Sequence, residues 1–446
     1  MKNRSHSKIA QGNLLQKTLM EQLNPKHPLM ILAKNIPWDS IETQFEKFYS
    51  TCGRPAKPIR LMSGLLLLKH LENLSDERLI EMWVSNPYYQ YFCGYHEFQW
   101  RFPCDPTDLV YFRRRIGEEG CRELFNISVG MHGDKAKESD VIVDSTVQEK
   151  NITFPTDSKQ HLKIIAKCRK IARLERITLR RSYAKELRAR MRTLRFAKGK
   201  STTPQQRKAR KRVKTIAGIL LRDLSRKLTP AQKVNYKELF ELFDRVLQQK
   251  KGDKKKHYSL HEPQTACFSK GKAHKRHEYG SKVSVAATKT DGIIVGIVNF
   301  SENIHDTKTL EATIASIQQS TGEVPERILA DRGYRGVANV GTVSIRIPDI
   351  PAKDSNELAK EAARELFRRR SSIEPIIGHL KSDFRMGRNY LKGIIGDAIN
   401  CLLAATCFNL RKWLRDQPLC LYFALRRLLR HFATLNGVAV RLDALV

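Results

Sequence analysis

The sequence predicts a mixed α/β (α+β) fold: a helical N-terminal domain, then a mixed sheet that a long basic helical insertion interrupts. Three observations predict this fold. Residues 58–85 are helix formers with a leucine core. Residues 140–146 and 327–331 are short strand-like runs that each carry an aspartate near the end. Residues 163–227, between those two runs, are helix formers rich in Lys and Arg.

The charge of the chain points to a polyanionic partner. The 446 residues include 81 Lys and Arg against 46 Asp and Glu, a formal net charge of +35 and a pI of about 10.0. An excess of this size favours binding to nucleic acid but says nothing about the fold. At this point a protein that binds DNA and a basic RNA-binding factor both stay open.

We expect a cytoplasmic, nucleoid-associated protein without a membrane anchor. No uninterrupted apolar run reaches about 18 residues, the length that a membrane-spanning helix needs. Residues 1–11 are polar and lack the apolar core of a signal peptide. The nine cysteines are scattered without a CxxC pair, which is typical of free thiols in a reducing compartment.

Two helices are predicted near the N-terminus. Residues 58–71 form the first, with Leu65 to Leu68 at its core. Ser75 is the expected N-cap of the second, which ends near Ser85 because Pro87 follows. The short connection between them permits a helix-turn-helix without proving one.

Aromatic residues crowd the next segment, and we expect most of them to form core, with stacking on opened DNA bases as the alternative. The crowded residues are Tyr88, Tyr89, Tyr91, Phe92, Tyr95, Phe98, Trp100 and Phe102. Arg113, Arg114 and Arg115 follow in a predicted helix, where either a solvated face or phosphate contact explains them.

The middle of the chain is a basic helical insertion. Residues 140–146 are predicted to form a strand that presents Asp144 near its end. Residues 163–200 then contain fifteen Lys or Arg against two acids. Further helical stretches are predicted at 205–227 and 230–250. Charge of this density repels itself unless a polyanion neutralises it, so we expect these helices to contact the phosphates of a nucleic acid.

Strands and helices alternate after the insertion. Asp291-Gly292 is a hairpin-turn signal between strands 279–287 and 292–300. Asp306 is the expected N-cap of a helix that reaches residue 319, and strand 327–331 ends at Asp331. The remaining predicted elements are a strand at 343–347 and helices at 355–383 and 396–414.

Residues 370–381 combine a carboxylate with flanking cations on one helix edge. At about 100° per residue, Arg370, Glu374 and Lys381 align beside an apolar stripe that can be buried. A carboxylate can hold a divalent metal, and the cations can hold phosphates.

This spacing resembles the Tyr-(2)-Arg-(3)-Glu-(6)-Lys motif of DDE transposases of bacterial insertion sequences, in the IS-five family of the IS-four superfamily. Phe367 stands at the Tyr position and lacks the hydroxyl. Residues 53–94 resemble the N-terminal helical domain of that family. The segment 258–286 resembles the approach to its second strand, and ILADRGYRG at 328–336 resembles the block that carries its second catalytic aspartate.

The resemblance implies a ribonuclease H-like sheet with Asp144, Asp331 and Glu374 as catalytic acids. In such enzymes these acids hold two Mg²⁺ ions, for which Mn²⁺ can substitute. Asp140 is the rival of Asp144, and Glu365 is the rival of Glu374. We prefer Asp144 because it lies near the strand end, and Glu374 because it aligns with Arg370 and Lys381.

The resemblance further implies a transposase that binds the terminal inverted repeats of its element, cleaves the ends and joins the 3′-hydroxyls to target DNA. We expect double-stranded DNA as partner and a homo-oligomer, dimeric in the DNA complex. An inactive transposase-derived DNA-binding protein is the alternative, beside the RNA-binding factor. The residues expected to contact DNA are Arg370, Lys381, Arg332, Tyr334, Arg335, Arg385, Arg388, Arg113 and Arg114.

The expected organisation is a lead-in at 1–45, a helical DNA-binding domain at 46–130 and C-terminal helices at 401–446. The catalytic domain is expected at 138–400, interrupted by the insertion at about 160–256. Two minor alternatives remain inside these segments. A zinc site at His257, His261, Cys267, His274 and His277 matches no standard spacing. His305 is either a general base or part of a capping turn.

Overall fold

The structure is a computed structural model that divides into two compact units. The first unit comprises Met1–Glu149, Lys282–Phe300 and Ile304–Val446, and the second comprises Lys150–Ser281 and Ser301–Asn303. The predicted four-part domain organisation stays a prediction. The residues that the structure describes are 17–50, 52, 55–195, 203–250, 252–253, 256–269, 276–348 and 357–417.

Helices dominate the described part of the chain. They are α1 (Leu19–Gln22), α2 (Pro28–Asn35), α3 (Trp38–Phe45), α4 (Ile59–Leu71), α5 (Asp76–Ser85), α6 (Pro87–Phe92), α7 (Pro106–Gly130), α8 (Asp157–Leu174), α9 (Ala184–Arg195), α10 (Pro204–Lys227), α11 (Pro230–Gln248), α12 (Leu310–Thr321), α13 (Glu357–Ser371), α14 (Ile373–Ser382) and α15 (Gly393–Arg415). The strands are β1 (Asp140–Lys150), β2 (Ala266–Ser269), β3 (His277–Thr288), β4 (Ile294–Phe300), β5 (Arg327–Leu329), β6 (Asn339–Val340), β7 (Val343–Arg346) and β8 (Arg388–Asn389).

The two predicted N-terminal helices are confirmed as α4 and α5. Almost the whole of α4 is buried, which its all-round apolar sequence requires. The Ser75 hydroxyl accepts a hydrogen bond from the Arg78 amide at 3.1 Å and so caps α5 as predicted.

The aromatic segment is only partly core. Tyr89 and Phe92 on α6 are buried, as predicted. Trp100 and Phe102 are 83% and 65% exposed, so the core interpretation is wrong for these two rings. Large exposed rings separated by one cation, Arg101, suit contact with a partner better than folding.

A buried ion network joins α4, α5 and α7. Both carboxylate oxygens of Asp76 accept from the Arg113 guanidinium, at 2.9 and 2.6 Å, and Lys69 Nζ lies 2.8 Å from Oδ1. Burial alone would raise the pKa of Asp76, but the bonds and charges of Arg113 and Lys69 outweigh it and lower the pKa to about 2.

The sheet of the first unit is mixed, and the predicted fold class is confirmed. Its strand order is β3-β1-β5-β7-β6, with β4 paired to β3 and β8 to β1. Strand β1 runs parallel to β5, which in turn runs parallel to β7. The predicted hairpin turn is confirmed between the antiparallel β3 and β4, where Gly292 adopts a left-handed φ of 68°. Strand β1 continues to Lys150, four residues beyond its predicted end.

Helix α15 packs in the core of the first unit. It is the one described helix long and apolar enough to cross a membrane, and 83% of its most apolar window is buried inside the fold. The buried Asn409 side chain accepts from the Ile294 amide at 3.0 Å and donates to the Ile294 carbonyl at 2.8 Å. This amide therefore fixes α15 against the first residue of β4.

The second unit contains the insertion as helices α8 to α11 with a core of their own. Ile164, Val213, Ile216 and Phe243 from three of these helices are fully buried together. The predicted helices at 205–227 and 230–250 are confirmed as α10 and α11. The predicted run 163–200 is divided between α8 and α9, and its residues 196–200 lie outside the described residues.

We expect Asp76→Ala to lower the free energy of unfolding by about 3–5 kcal/mol, because the buried charges of Arg113 and Lys69 lose their partner. The pKa of Asp76 is lowered from 3.8 to about 2, so its stabilising effect is complete above about pH 4 and is lost as the pH falls toward 2. Urea denaturation of the full chain across this pH range measures both effects. Glu81→Ala, which removes an exposed partner of Arg78, should cost less than about 1 kcal/mol, and equal losses would contradict the network.

Candidate active site

Two parallel strands bring Asp144 and Asp331 to the same edge of the sheet. Ile142 of β1 is paired in register with Leu329 of β5, and each aspartate follows two residues later. Because β1 continues past Asp144, this residue lies within the strand rather than at its tip. Parallel pairing with equal offsets explains why two residues far apart in sequence become neighbours.

Helices α13 and α14 deliver the third acid. The predicted continuous helix is broken at Ser372, so Arg370 lies in the last turn of α13 and Glu374 in the first turn of α14. Ile373 between them is fully buried against Ile142 and Leu329, which anchors the break on the sheet.

One guanidinium contacts all three predicted catalytic acids. Arg370 Nη2 lies 3.2 Å from Asp144 Oδ2 and 3.9 Å from Asp331 Oδ2. Its Nη1 lies 3.0 Å from Glu374 Oε1. We call Asp144, Asp331 and Glu374 the carboxylate cluster. Arg370 offsets the repulsion that three neighbouring carboxylates would otherwise exert on one another.

Asp306 is a neighbour of this cluster that the sequence patterns did not predict. Its Oδ1 accepts from the Ser145 hydroxyl at 2.7 Å and from Lys282 Nζ at 2.8 Å. A Cβ added at Gly333 would lie 3.0 Å from Asp306 Oδ2 and 2.9 Å from Asp331 Oδ1. Asp306 therefore links the residue after Asp144 with the turn after Asp331.

The position of Asp306 next to the cluster was missed because an aspartate before an apolar helix is usually its N-cap. Here His305 is the N-cap of the turn that leads into α12, and its Nδ1 accepts from the Thr307 amide. The capping interpretation of His305 agrees with the structure, and the assignment of the cap to Asp306 is wrong. No sequence signal other than proximity to a strand end marked Asp306.

Tyr334 lies beneath the cluster rather than on the surface. Its side chain is buried, and burial raises the pKa of its phenol, as do the charges of Asp306, Asp144 and Asp331. The phenol therefore stays neutral.

The other cations predicted to contact DNA fall into two groups. Arg114, Arg332, Arg335 and Arg388 are exposed, and Lys381 is half-buried in the last turn of α14.

Arg113 and Arg385 form the second group and are engaged within the fold. Arg113 belongs to the buried Asp76 network and is 5% exposed. Arg385 Nη1 donates to the Asn73 carbonyl at 2.9 Å. Binding of DNA by either group stays a prediction.

The rival acids lie in other ion pairs. Asp140 pairs with Lys289 at 2.7 Å and with Arg327 at 2.5 Å. Glu365 pairs with Arg368 at 2.9 Å and Arg369 at 2.6 Å. Neither shares the Arg370 guanidinium with the cluster, so the geometry favours the preferred acids without assigning their role.

Comparison with known proteins identifies the family. Residues 17–115 match a family model described as a transposase domain (DUF772), and residues 246–410 match one described as a transposase DDE domain. A Rhizobium meliloti protein described as "Uncharacterized protein ORF8 in nfe locus" is 41% identical over 199 residues, 43% of this chain and 96% of the relative. No solved structure matches the chain. The chain belongs to the DDE transposases of bacterial insertion sequences.

DDE transposases act on DNA and use divalent metal ions, and the carboxylate cluster fits such ions in its chemistry. Carboxylate oxygens are the ligands that Mg²⁺ and Mn²⁺ prefer. The Arg370 guanidinium already places positive charge between these acids. Among the described residues, no group of three His, Cys, Asp or Glu side chains is arranged so that it could hold a metal ion. This result includes His257, His261, Cys267 and His277, the described residues of the alternative zinc site. His274 lies outside the described residues.

We expect Asp306→Ala to lower the free energy of unfolding by about 3 kcal/mol, because it leaves the buried Lys282 ammonium without its carboxylate. Replacing both partners, as Lys282→Met with Asp306→Ala, should recover most of that loss, since neither charge is then buried alone. Denaturant titrations of the wild type, both single variants and the double variant form the cycle. Additive losses in the double variant would contradict the coupling.

Proposed function

We propose that the protein is an active transposase that binds the terminal inverted repeats of its element, cleaves the DNA ends and joins the 3′-hydroxyls to target DNA. One observation supports this proposal above the others: a single guanidinium contacts Asp144, Asp331 and Glu374. In a dead descendant, three acids that are far apart in the sequence need not all keep contact with one guanidinium. An RNA-binding factor would have no use for them.

Asp144, Asp331 and Glu374 are proposed to hold two Mg²⁺ ions, with Mn²⁺ able to substitute. When bound, such ions stabilise charge at the reacting phosphate and lower the pKa of the attacking water or 3′-hydroxyl. Neighbouring residues of the chain hold the three acids in position. Asp306 accepts from the Ser145 hydroxyl next to Asp144, and Tyr334 is buried near the cluster.

Arg370 has two consecutive roles in this proposal. In the free protein its guanidinium neutralises the carboxylate cluster and keeps the three acids together. If the acids held divalent ions, that guanidinium would no longer be needed to neutralise them and could contact a DNA phosphate, for which its planar fork is suited. Lys381 and the exposed Arg332 are proposed to position the phosphates on either side.

The insertion is proposed to supply most of the non-specific contacts with DNA. Arg207, Lys208, Arg210, Lys211 and Lys214 on α10 are exposed. Each phosphate that such a cation neutralises releases a counterion, which makes the affinity fall with salt concentration. We further propose that two protomers act together on the two ends of the element.

Asp331→Asn should abolish metal-dependent cleavage of a labelled terminal repeat while it leaves end binding intact or stronger. The change keeps the shape and removes one negative charge, and acids that act as a unit lose nearly all activity together. Lys381→Ala should leave cleavage detectable and lower strand transfer, because only phosphate positioning is disturbed. The measurement is cleavage and joining with Mg²⁺ beside a binding titration. Wild-type cleavage by Asp331→Asn would refute the two-metal mechanism.

The triple variant Arg207→Gln, Lys211→Gln and Lys214→Gln should flatten the salt dependence of DNA binding. A slope of log affinity against log salt should become shallower by about 0.9 for each phosphate that the variant no longer neutralises. The control removes the same charge from exposed lysines of the first unit, as Lys26→Gln, Lys34→Gln and Lys135→Gln. Equal slopes in the two triple variants would show that α10 contributes only general charge.

A further inference from the structure

A concave site lies in the first unit, and its lining does not include the carboxylate cluster. The cavity has a volume of about 410 Å³ and lies between the β3–β4 turn and helices α13, α14 and α15. Cavities of this size accept small organic ligands. We call it the basic pocket; its lining includes Lys289, Arg368, Arg369, Arg411, Lys412 and Arg415.

The charges of the basic pocket are unbalanced. Six cations line it against two carboxylates, Asp291 and Asp416. Two of the six are paired, Lys289 with Asp140 and Lys412 with Asp416. Arg368 and Arg369 share the single carboxylate of Glu365, so one positive charge of that group is not offset. Within the described part of the chain, Arg415 forms no ion pair with a carboxylate. A concave wall of one sign concentrates its field and attracts anions.

The floor of the pocket is apolar and aromatic. Phe384 and Phe408 lie edge to face with ring centroids 5.9 Å apart, and Ile376 packs beside them. The Arg411 guanidinium lies 5.1 Å from the Phe384 ring centroid. Guanidinium planes and aromatic rings are surfaces on which nucleobases stack. Because Phe384 and Phe408 are only 2% and 9% exposed, the flat surface that a base can reach is the Arg411 guanidinium above Phe384.

We propose that the basic pocket binds one unpaired nucleotide of a DNA strand, with its phosphate on Arg368 and Arg415 and its base on the Arg411 guanidinium that covers the aromatic floor. The pocket is distinct from the carboxylate cluster, because the Arg370 guanidinium turns to the acids while the flanking Arg369 and Ser372 line the pocket. The proposal rests on the proposed function only in taking DNA as the ligand.

The test measures binding of a fluorescent, 5′-phosphorylated, five-nucleotide oligothymidylate to the full chain in EDTA. Arg368→Gln with Arg415→Gln should weaken binding at least about tenfold, since two guanidinium donors to the phosphate and their local field are removed. This pair is chosen because neither substitution leaves a described carboxylate without a partner. Glu365 keeps its ion pair with Arg369 when Arg368 is replaced, and Arg415 pairs with no described carboxylate. The matched control, Lys26→Gln with Lys135→Gln, should change affinity less than about twofold. Equal effects of the two double variants would overturn the proposal.

Two further probes test the form of the ligand. An abasic oligonucleotide with the same phosphates should bind the wild type at least about tenfold more weakly, because it has no base to stack. Equal binding would overturn the placement of a base in the pocket. Free thymidine monophosphate should not displace the oligonucleotide at matched nucleotide concentration, and displacement would assign the pocket to free nucleotides instead. Asp331→Asn should bind all probes as the wild type does, which separates this site from the proposed chemistry.

Discussion

The contact of one guanidinium with three carboxylates is the constraint on which the candidate site depends. Acids from two strands and one helix repel one another when they converge, and the cost rises as water is excluded. Arg370 offsets that cost from inside the cluster. Arg370 and Glu374 lie on the same side because they are four residues apart, and the buried Ile373 holds the junction of α13 and α14 on the sheet. The pairing of β1 with β5, the junction of α13 and α14 and the charge of Arg370 together hold the three acids near one another.

Local patterns predicted local structure well, because the responsible interactions lie within a few residues. The Ser75 cap, the Asp291-Gly292 turn and the basic helices depend on neighbouring residues and appear where expected. The break at Ser372 and the length of β1 depend on packing with distant segments, which periodicity does not record. Motif spacing brought the three acids into consideration.

Neither local patterns nor motif spacing predicted that Asp306 lies next to the carboxylate cluster. Its partners Ser145 and Lys282 are remote in sequence, and its own neighbourhood looked like a helix cap. The sequence alone also does not distinguish cations that form buried ion pairs from cations that face solvent. Arg113 and Arg114 are adjacent in α7, yet one is buried against Asp76 and the other is exposed. Only the tertiary structure divides the net charge of +35 into cations that hold the fold and cations that face solvent.

The separate core of the insertion has an evolutionary consequence. The two family models match residues 17–115 and 246–410 and omit nearly all of α8, α9, α10 and α11. Because those helices pack on one another, substitutions on their outer faces need not be compensated by changes in the sheet. The sequence of such a segment can change, or the segment can be exchanged between elements, at a different rate from the residues of the candidate active site. It is the natural place for the amino-acid sequences of related transposases to diverge.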